Sequence, residues 1–213
     1  MSTIKADAIT ASTGTNTNIA ITGKGSGKVA IGDGTLLFPD ADGAAGTFIT
    51  TNGSAALSFA AAGKVVQVVN FSTGAMSSGT TRITTYGDAI PQKTEGDKVM
   101  ELAITPTSAT NKLIIEAQVG VFFNSSGAEY NTILLLQDAT ADALAVSVNQ
   151  MVAGYRGNQV LRHYMTAGTT SATTFKIHIG SPSASTTTFN GESGARTYAG
   201  RAASSITITE ISA

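Results

Sequence analysis

The chain has no cysteine, no tryptophan, only four prolines and little charge. Without cysteine, a disulfide scaffold and thiolate chemistry are excluded. Charged residues make up 13% of 213, with a net charge of -1, so neither an electrostatic grip on nucleic acid nor one on an anionic membrane is expected. Apolar runs such as Ile133 to Leu136 are far shorter than the roughly 20 residues that cross a bilayer, and no membrane insertion is expected. The opening MSTIKADAIT has no apolar stretch of a secretory signal. The sequons at Asn52, Asn70 and Asn124 therefore read as accidental, and the sequence predicts a protein made in a cytosol and released without a signal. No segment carries a 3.6-residue apolar period. What is abundant is Gly, Thr, Ser and Ala, the composition of a β protein that folds rather than of a disordered chain.

Three zones follow along the sequence. Residues 1–22 are polar and rich in Thr and Asn, with sparse apolar residues at Ile4, Ala6, Ala8 and Ile9. This zone reads as an extended segment ordered by docking on another protein. Residues 23–63 carry apolar residues only in short pieces, such as Val29 and Ile31, Leu36 to Phe38, Phe48 and Ile49, and Leu57 and Phe59, separated by Gly, Asn or Asp. Strands that short bury almost nothing alone and leave their edges open. Identical chains wound about a common axis would cover them, so this zone reads as the β-rich shaft of a fibrous homo-oligomer.

Residues 64–213 have the length of one domain. Strands are expected at 64–71, 99–105, 112–124, 130–137, 143–148, 159–166, 173–179 and 204–211. The segment 130–137 is nearly all apolar and should be central. In 112–124, Ile115, Ala117, Val119 and Val121 share a face, and 204–211 reads S-S-I-T-I-T-E-I, close to a period of two. Pro91, Pro106 and Pro182 fall between these strands, as residues that cannot donate to a ladder should. The fold class predicted is all-β, a two-sheet sandwich and most simply a jelly roll.

Several motifs invite chemistry and fail on spacing. Gly23-Lys24-Gly25-Ser26-Gly27-Lys28 has Thr22 where a phosphate loop needs its first Gly and Val29 where it needs a hydroxyl. Asp40-Ala41-Asp42-Gly43 lacks the later oxygen ligands of a calcium loop; it reads as an Asx turn. His163 and His178 each sit in a predicted strand without neighbouring ligands. Asp88, Glu95, Asp97 and Glu101 surround Lys93, Lys98, Pro91 and Gly96, the pattern of a solvated loop with local ion pairs. No Gly-x-Ser-x-Gly elbow is present. No catalytic residue, metal site or cofactor is expected. Tyr155, Arg156, Arg162, Tyr164, Arg196, Tyr198 and Arg201 concentrate aromatic and guanidinium groups late in the chain. Of these, Tyr155, Arg156, Arg196 and Tyr198 are candidate contacts to a receptor or to another subunit. The segments 124–129, 154–158 and 189–194 are polar and Gly-rich, and read as exposed tips.

The opening MSTIKADAIT, the stretch GKVAIGDGTLLFPDADGAAGTFITTNGSAALSF, the stretch PQKTEGDKVMELAITPTSATNKLIIEAQV and the closing ASSITITEISA resemble the small tail-fibre or head-fibre virion proteins of tailed phages. The resemblance covers most of the chain and includes no catalytic signature. It implies a homotrimer: an attachment segment at 1–22, a trimeric shaft at 23–63, and a jelly-roll head at 64–213 similar to tumour-necrosis-factor or complement C1q heads. In such a shaft, Ile19, Ile21, Val29, Ile31 and Ile49 suit positions facing the axis. The expected function is a structural fibre of the virion, assembled in the host cytoplasm. It would bind another virion protein through its N-terminus and a host-surface glycan or protein through its head. A capsid-decorating fibre without a receptor role is the alternative.

Overall fold

The computed structural model describes residues 30–31, 36–37, 47–51, 57–61, 65–85, 87–124, 129–151 and 156–213. The chain divides into two compact units, Met1–Gly63 and Lys64–Ala213. In the first, β1 (Ala30–Ile31) pairs with β2 (Leu36–Leu37), and β3 (Thr47–Thr51) pairs with β4 (Leu57–Ala61), both antiparallel. Ile49 lies opposite Phe59, and the Thr50 hydroxyl donates to the Ser58 carbonyl. Phe48 and Ile49 point to opposite faces, and both are exposed, because a two-stranded ribbon has no second layer to close over either. Ile31 lies in β1; Ile19, Ile21 and Val29 fall outside the described residues.

The second unit is a sandwich. Its strands are β5 (Val65–Thr73), β6 (Ser77–Gly79), β7 (Asp97–Ile104), β8 (Lys112–Asn124), β9 (Glu129–Gln137), β10 (Ala145–Met151), β11 (Arg156–Thr166), β12 (Thr173–Gly180), β13 (Thr187–Phe189), β14 (Gly191–Glu192), β15 (Ala195–Arg196) and β16 (Ser204–Ile211). One sheet runs β5-β16-β8-β11, with β13 and then β6 continuing from the far end of β8; the other runs β10-β9-β12-β7. Lettering the eight long strands A to H in chain order gives A-H-C-F facing B-G-D-E, the interleaved order of a jelly roll. All eight long strands coincide with segments expected from alternation. The short β6, β13, β14 and β15 do not, because Ser, Thr and Gly carry no apolar period.

The core lies between the sheets. Leu113, Ile115, Ala117 and Val119 of β8 and Ile206 and Ile208 of β16 meet Ile133 and Leu135 of β9 and Phe175, Ile177 and Ile179 of β12. Each large side chain buried there contributes about 1.5–3 kcal/mol. The inward face of β16 reads Ser204, Ile206, Ile208, Glu210, all buried, apolar in the middle and polar at both ends. At one end the Ser204 hydroxyl donates to Asn190 Oδ1 (2.6 Å) and accepts from the Gly120 amide. At the other, the Glu210 carboxylate accepts from Gln67, from the Asn111 amide (2.6 Å) and from both the backbone and hydroxyl of Thr107.

On the second sheet, Leu134 and Leu136 of β9 point away from the core yet are fully buried, packed with Ile83 and Ala143. The connection between β6 and β7 straps over them through Ile83. Glu95 holds this strap together: its carboxylate accepts from the backbone amides of Thr84, Thr85 and Gln92 (2.8 Å each). Asp97 accepts from the Thr81 amide and hydroxyl, against Gly79, where any Cβ would collide with that carboxylate. The expected local ion pairs reduce to Lys98–Glu101 at 2.8 Å. Glu95 and Asp97 instead take backbone donors, because the turn leaves those amides without a ladder.

Burial pushes the Glu210 carboxyl up, but the donors from Gln67, Asn111 and Thr107 outweigh it and hold the pKa at about 2. Burial likewise opposes ionisation of Glu95, and the donors from Gln92, Thr85 and Thr84 bring it to about 2. Both folded values lie below the ordinary 4.5. Their stabilisation is therefore full above pH 4.5 and is lost as pH falls toward 2. Glu210→Gln should cost about 2 kcal/mol at pH 7 and flatten the loss of stability between pH 5 and about 2. Urea titrations of both proteins across that range check it; parallel curves would refute the assignment.

Candidate functional site

Strand registers define the two ends of the sandwich. Val65, Ile211, Lys112 and Thr166 lie side by side at one end, where the domain's chain begins. Thr73 and Ser204 lie toward the other end, roughly 26 Å away by the rise of a strand, and the start of β11 and the end of β8 reach roughly 33–40 Å from Thr166 and Lys112. At this far end a shallow cleft of about 280 Å³ is lined by Arg156, Glu192, Ala195, Arg196, Thr197 and Tyr198.

The cleft is built on a buried asparagine. Asn190 follows β13 in the left-handed region (φ 56) and is fully buried. Its side-chain amide donates to the carbonyls of Thr73 (2.7 Å) and Ala75, its Oδ1 accepts from Ser204, and its carbonyl accepts from the Thr197 amide. It thus ties β5, β16 and the cleft to one point. The hairpin β14–β15 follows, with Ser193 (φ 51) and Gly194 (φ 83) as its two-residue turn, the primed geometry that suits twisted strands. Gly191 carries no side chain because a Cβ there would sit 2.5 Å from the Met76 sulfur and the Ala195 carbonyl.

Tyr198 (φ 47), Ala199 (φ 54) and Gly200 (φ 85) then form a left-handed turn, closed by the Arg201 amide donating to the Tyr198 carbonyl at 3.0 Å. For Tyr and Ala this backbone costs about 1–2 kcal/mol per residue. The turn is held by its neighbour: a Cβ on Gly74 would lie 2.0 Å from the Gly200 carbonyl oxygen, so the two backbones touch. Tyr198 is left 82% exposed. The Arg196 side chain runs along Gly200. Arg156 is ion-paired with Glu192 across the cleft.

Three of the four candidate contacts, Arg156, Arg196 and Tyr198, are thus brought together; Tyr155 lies outside the described residues. Arg162 and Tyr164 are elsewhere, on the outer face of β11 about 20–26 Å along the strand from Arg156. There Arg162 pairs with Glu116 at 3.0 Å. The tip expected over 189–194 is smaller than the sequence suggested. Phe189, Asn190 and Gly191 are buried, and only Ser193 and Gly194 of that segment are exposed, because Phe189 joins the core and Asn190 anchors the turn. Glu192 was not among the candidates, although the Asn190-Gly191 and Ser193-Gly194 pairs mark the turns that place it.

His178 Nδ1 lies 3.0 Å from the Glu95 carbonyl, and burial lowers the pKa of both His178 and His163. Among the described residues no three His, Asp or Glu gather as a metal site would require. The cleft holds one carboxylate, already engaged by an arginine, and two guanidinium groups beside an open aromatic ring. The cleft holds no pair of acids of the kind that general acid–base work on a sugar uses.

The class of protein is thus an all-β jelly-roll sandwich bearing a terminal Arg/Tyr cleft. No family model matches the chain, and no curated protein matches it. Among solved structures it is similar to the Eiger TNF of S. frugiperda, at 6% identity over 67% of this chain and 92% of that chain, with a TM-score of 0.36. It is also similar to the infectious bursal disease virus Gx strain structure, at 9% identity over 73% of this chain and 43% of that one (TM-score 0.32). A third is the enzymatically active domain of Bacteriophage CBA120 tailspike protein 4, at 10% identity over 59% and 19% (TM-score 0.22). At such scores the fold rests on the strand order itself.

Ala199→Gly should stabilise the domain by about 1 kcal/mol by relieving the left-handed alanine. Asn190→Ala should destabilise it by about 2–3 kcal/mol by orphaning Ser204 and two carbonyls. Equilibrium denaturation checks both; a neutral Asn190 variant would contradict its role as anchor.

Proposed function

We propose that this chain is a structural, non-enzymatic fibre protein of a tailed-phage virion. In this reading it is a homotrimer, attached through residues 1–22 to another virion protein and presenting the jelly-roll domain for host-surface binding. The observation that carries the reading is the position of the Arg156–Arg196–Tyr198 cleft, at the end of the sandwich opposite Val65. A domain held where its chain begins turns that end outward.

Two surfaces support the oligomer. The β3–β4 ribbon exposes Phe48 on one face and Ile49 on the other. In the sandwich, the outer face of the β5-β16-β8-β11 sheet carries Val68, Val160 and Tyr164 at 55%, 61% and 59% exposure. Apolar surface of this kind is covered in soluble proteins by association. The sequence resemblance to phage fibre proteins supplies the symmetry and the virion setting. Three weak sites per trimer, several trimers per particle, would then give avidity without a tight single site.

The wild-type protein should sediment as a trimer, and Val160→Asp or Ile31→Asp should shift it toward monomer. Removing residues 1–22 should leave the trimer intact but absent from assembled particles. A compact wild-type monomer in dilute solution would overturn the oligomer. Labelling confined to the tail fits a receptor fibre, whereas uniform labelling of the shell would replace it with a decorating role.

A further inference from the structure

We propose that the far-end cleft takes an anionic sugar: one saccharide residue whose carboxylate or phosphate is gripped by Arg196 while its ring lies against Tyr198. This rests on the reading that the far end faces the host surface, and it names the class of ligand.

Charge points first to an anion. The cleft contains two guanidinium groups and one carboxylate, and Glu192 is already paired with Arg156. Among the described residues Arg196 has no carboxylate partner. Arg201 follows the turn without one as well. The site therefore holds uncompensated positive charge in a chain whose net charge is -1. The planar fork of a guanidinium matches a carboxylate or phosphate through two parallel hydrogen bonds. The pairing with Glu192 fixes Arg156 as the wall of the cleft and leaves Arg196 to supply that fork.

The backbone points to a ligand with a flat face. Tyr198 sits at a left-handed φ of 47, next to Ala199 at 54, and still displays 82% of its surface to water. An exposed ring adds little to folding, so a strained backbone that holds it outward serves something outside the domain. The strain is maintained by the Gly74–Gly200 backbone contact and by the Asn190 network, which fixes the backbone from which the ring projects. The C–H face of a pyranose packs on such a ring. The Glu192 carboxylate and the Thr197 hydroxyl beside it can meet sugar hydroxyls as acceptor and as donor or acceptor. At about 280 Å³, the cleft falls just under the range of pockets that enclose drug-sized ligands, about 300–1,000 Å³. It suits one residue of a surface polymer. A docked protein segment would want a larger apolar floor, and the lining offers Ala195 and the tyrosine ring.

The test uses the full-length fluorescent protein on an array of defined bacterial oligosaccharides, matched as carboxylated, phosphorylated and neutral members, and on intact cells of a panel of bacteria. Binding to the carboxylated or phosphorylated members and not to their neutral counterparts is expected. Arg196→Gln and Tyr198→Ala should each weaken it by about tenfold or more. Circular dichroism and the oligomeric mass of each variant show that the fold survives. Arg162→Gln, about 20 Å along β11 from Arg156, should bind as the wild type does. Binding to neutral sugars alone, or anionic binding that survives both cleft variants, overturns the proposal. Cell binding abolished by protease treatment of the cells, with a blank array, means a protein receptor: it overturns the anionic sugar and keeps the host-binding reading. Failure to bind any cells or sugars removes both.

Discussion

The last strand governs the domain. On its inward face, β16 places two isoleucines between a serine and a glutamate, and every one of the four is buried. The isoleucines bind the two sheets by apolar contact. The polar ends need partners in a dry interior, and those partners include loop residues beside neighbouring strands. Ser204 gathers Asn190 and, through it, the turn after β5. Glu210 gathers Gln67, the loop before β8 and Asn111. A single eight-residue strand therefore sets the core and fixes both ends, and the cleft residues are held in place by one of those two polar contacts.

The same economy recurs on the opposite sheet. A jelly roll of this size must leave each sheet's outer face either covered or wet. Here the strap between β6 and β7 covers Leu134 and Leu136 through Ile83, held by a carboxylate that acts as the hydrogen-bond acceptor for three otherwise unpaired amides. The outer face of the β16 sheet receives no such cover within the domain, and Val68, Val160 and Tyr164 stay in water there. The two faces are thus treated differently by one chain, and the uncovered one is where a neighbouring subunit would sit in the trimer we propose.

Alternation made the long strands legible. The 204–211 and 112–124 segments match their strands to the residue, because one face of each meets the core and the other does not. The apolar run at Ile133 to Leu136 was rightly placed in a central strand. Its unbroken hydrophobicity has a different cause from burial between the two sheets alone: half of it packs under the strap. What alternation could not reveal is structure carried by backbone amides and left-handed residues. The roles of Glu95 and Glu210 depend on which amides the fold leaves unpaired, and nothing in their neighbours along the chain announces it. The cleft was half legible. Its arginines and tyrosine stood out by type, but that Arg156 would meet Arg196, and Arg162 would not, follows only from the ends of β11 lying far apart.

The register of β5 against β16 has a mechanical consequence. Val65 lies beside Ile211, and Thr73 beside Ser204 at the other end. A pull applied at the cleft and resisted at Val65 runs lengthwise along both strands. Hydrogen bonds of an antiparallel ladder stand perpendicular to that direction, so the load falls on the rungs together as shear instead of unzipping them one by one. A tether that tugs on this tip meets the sandwich along its strongest axis.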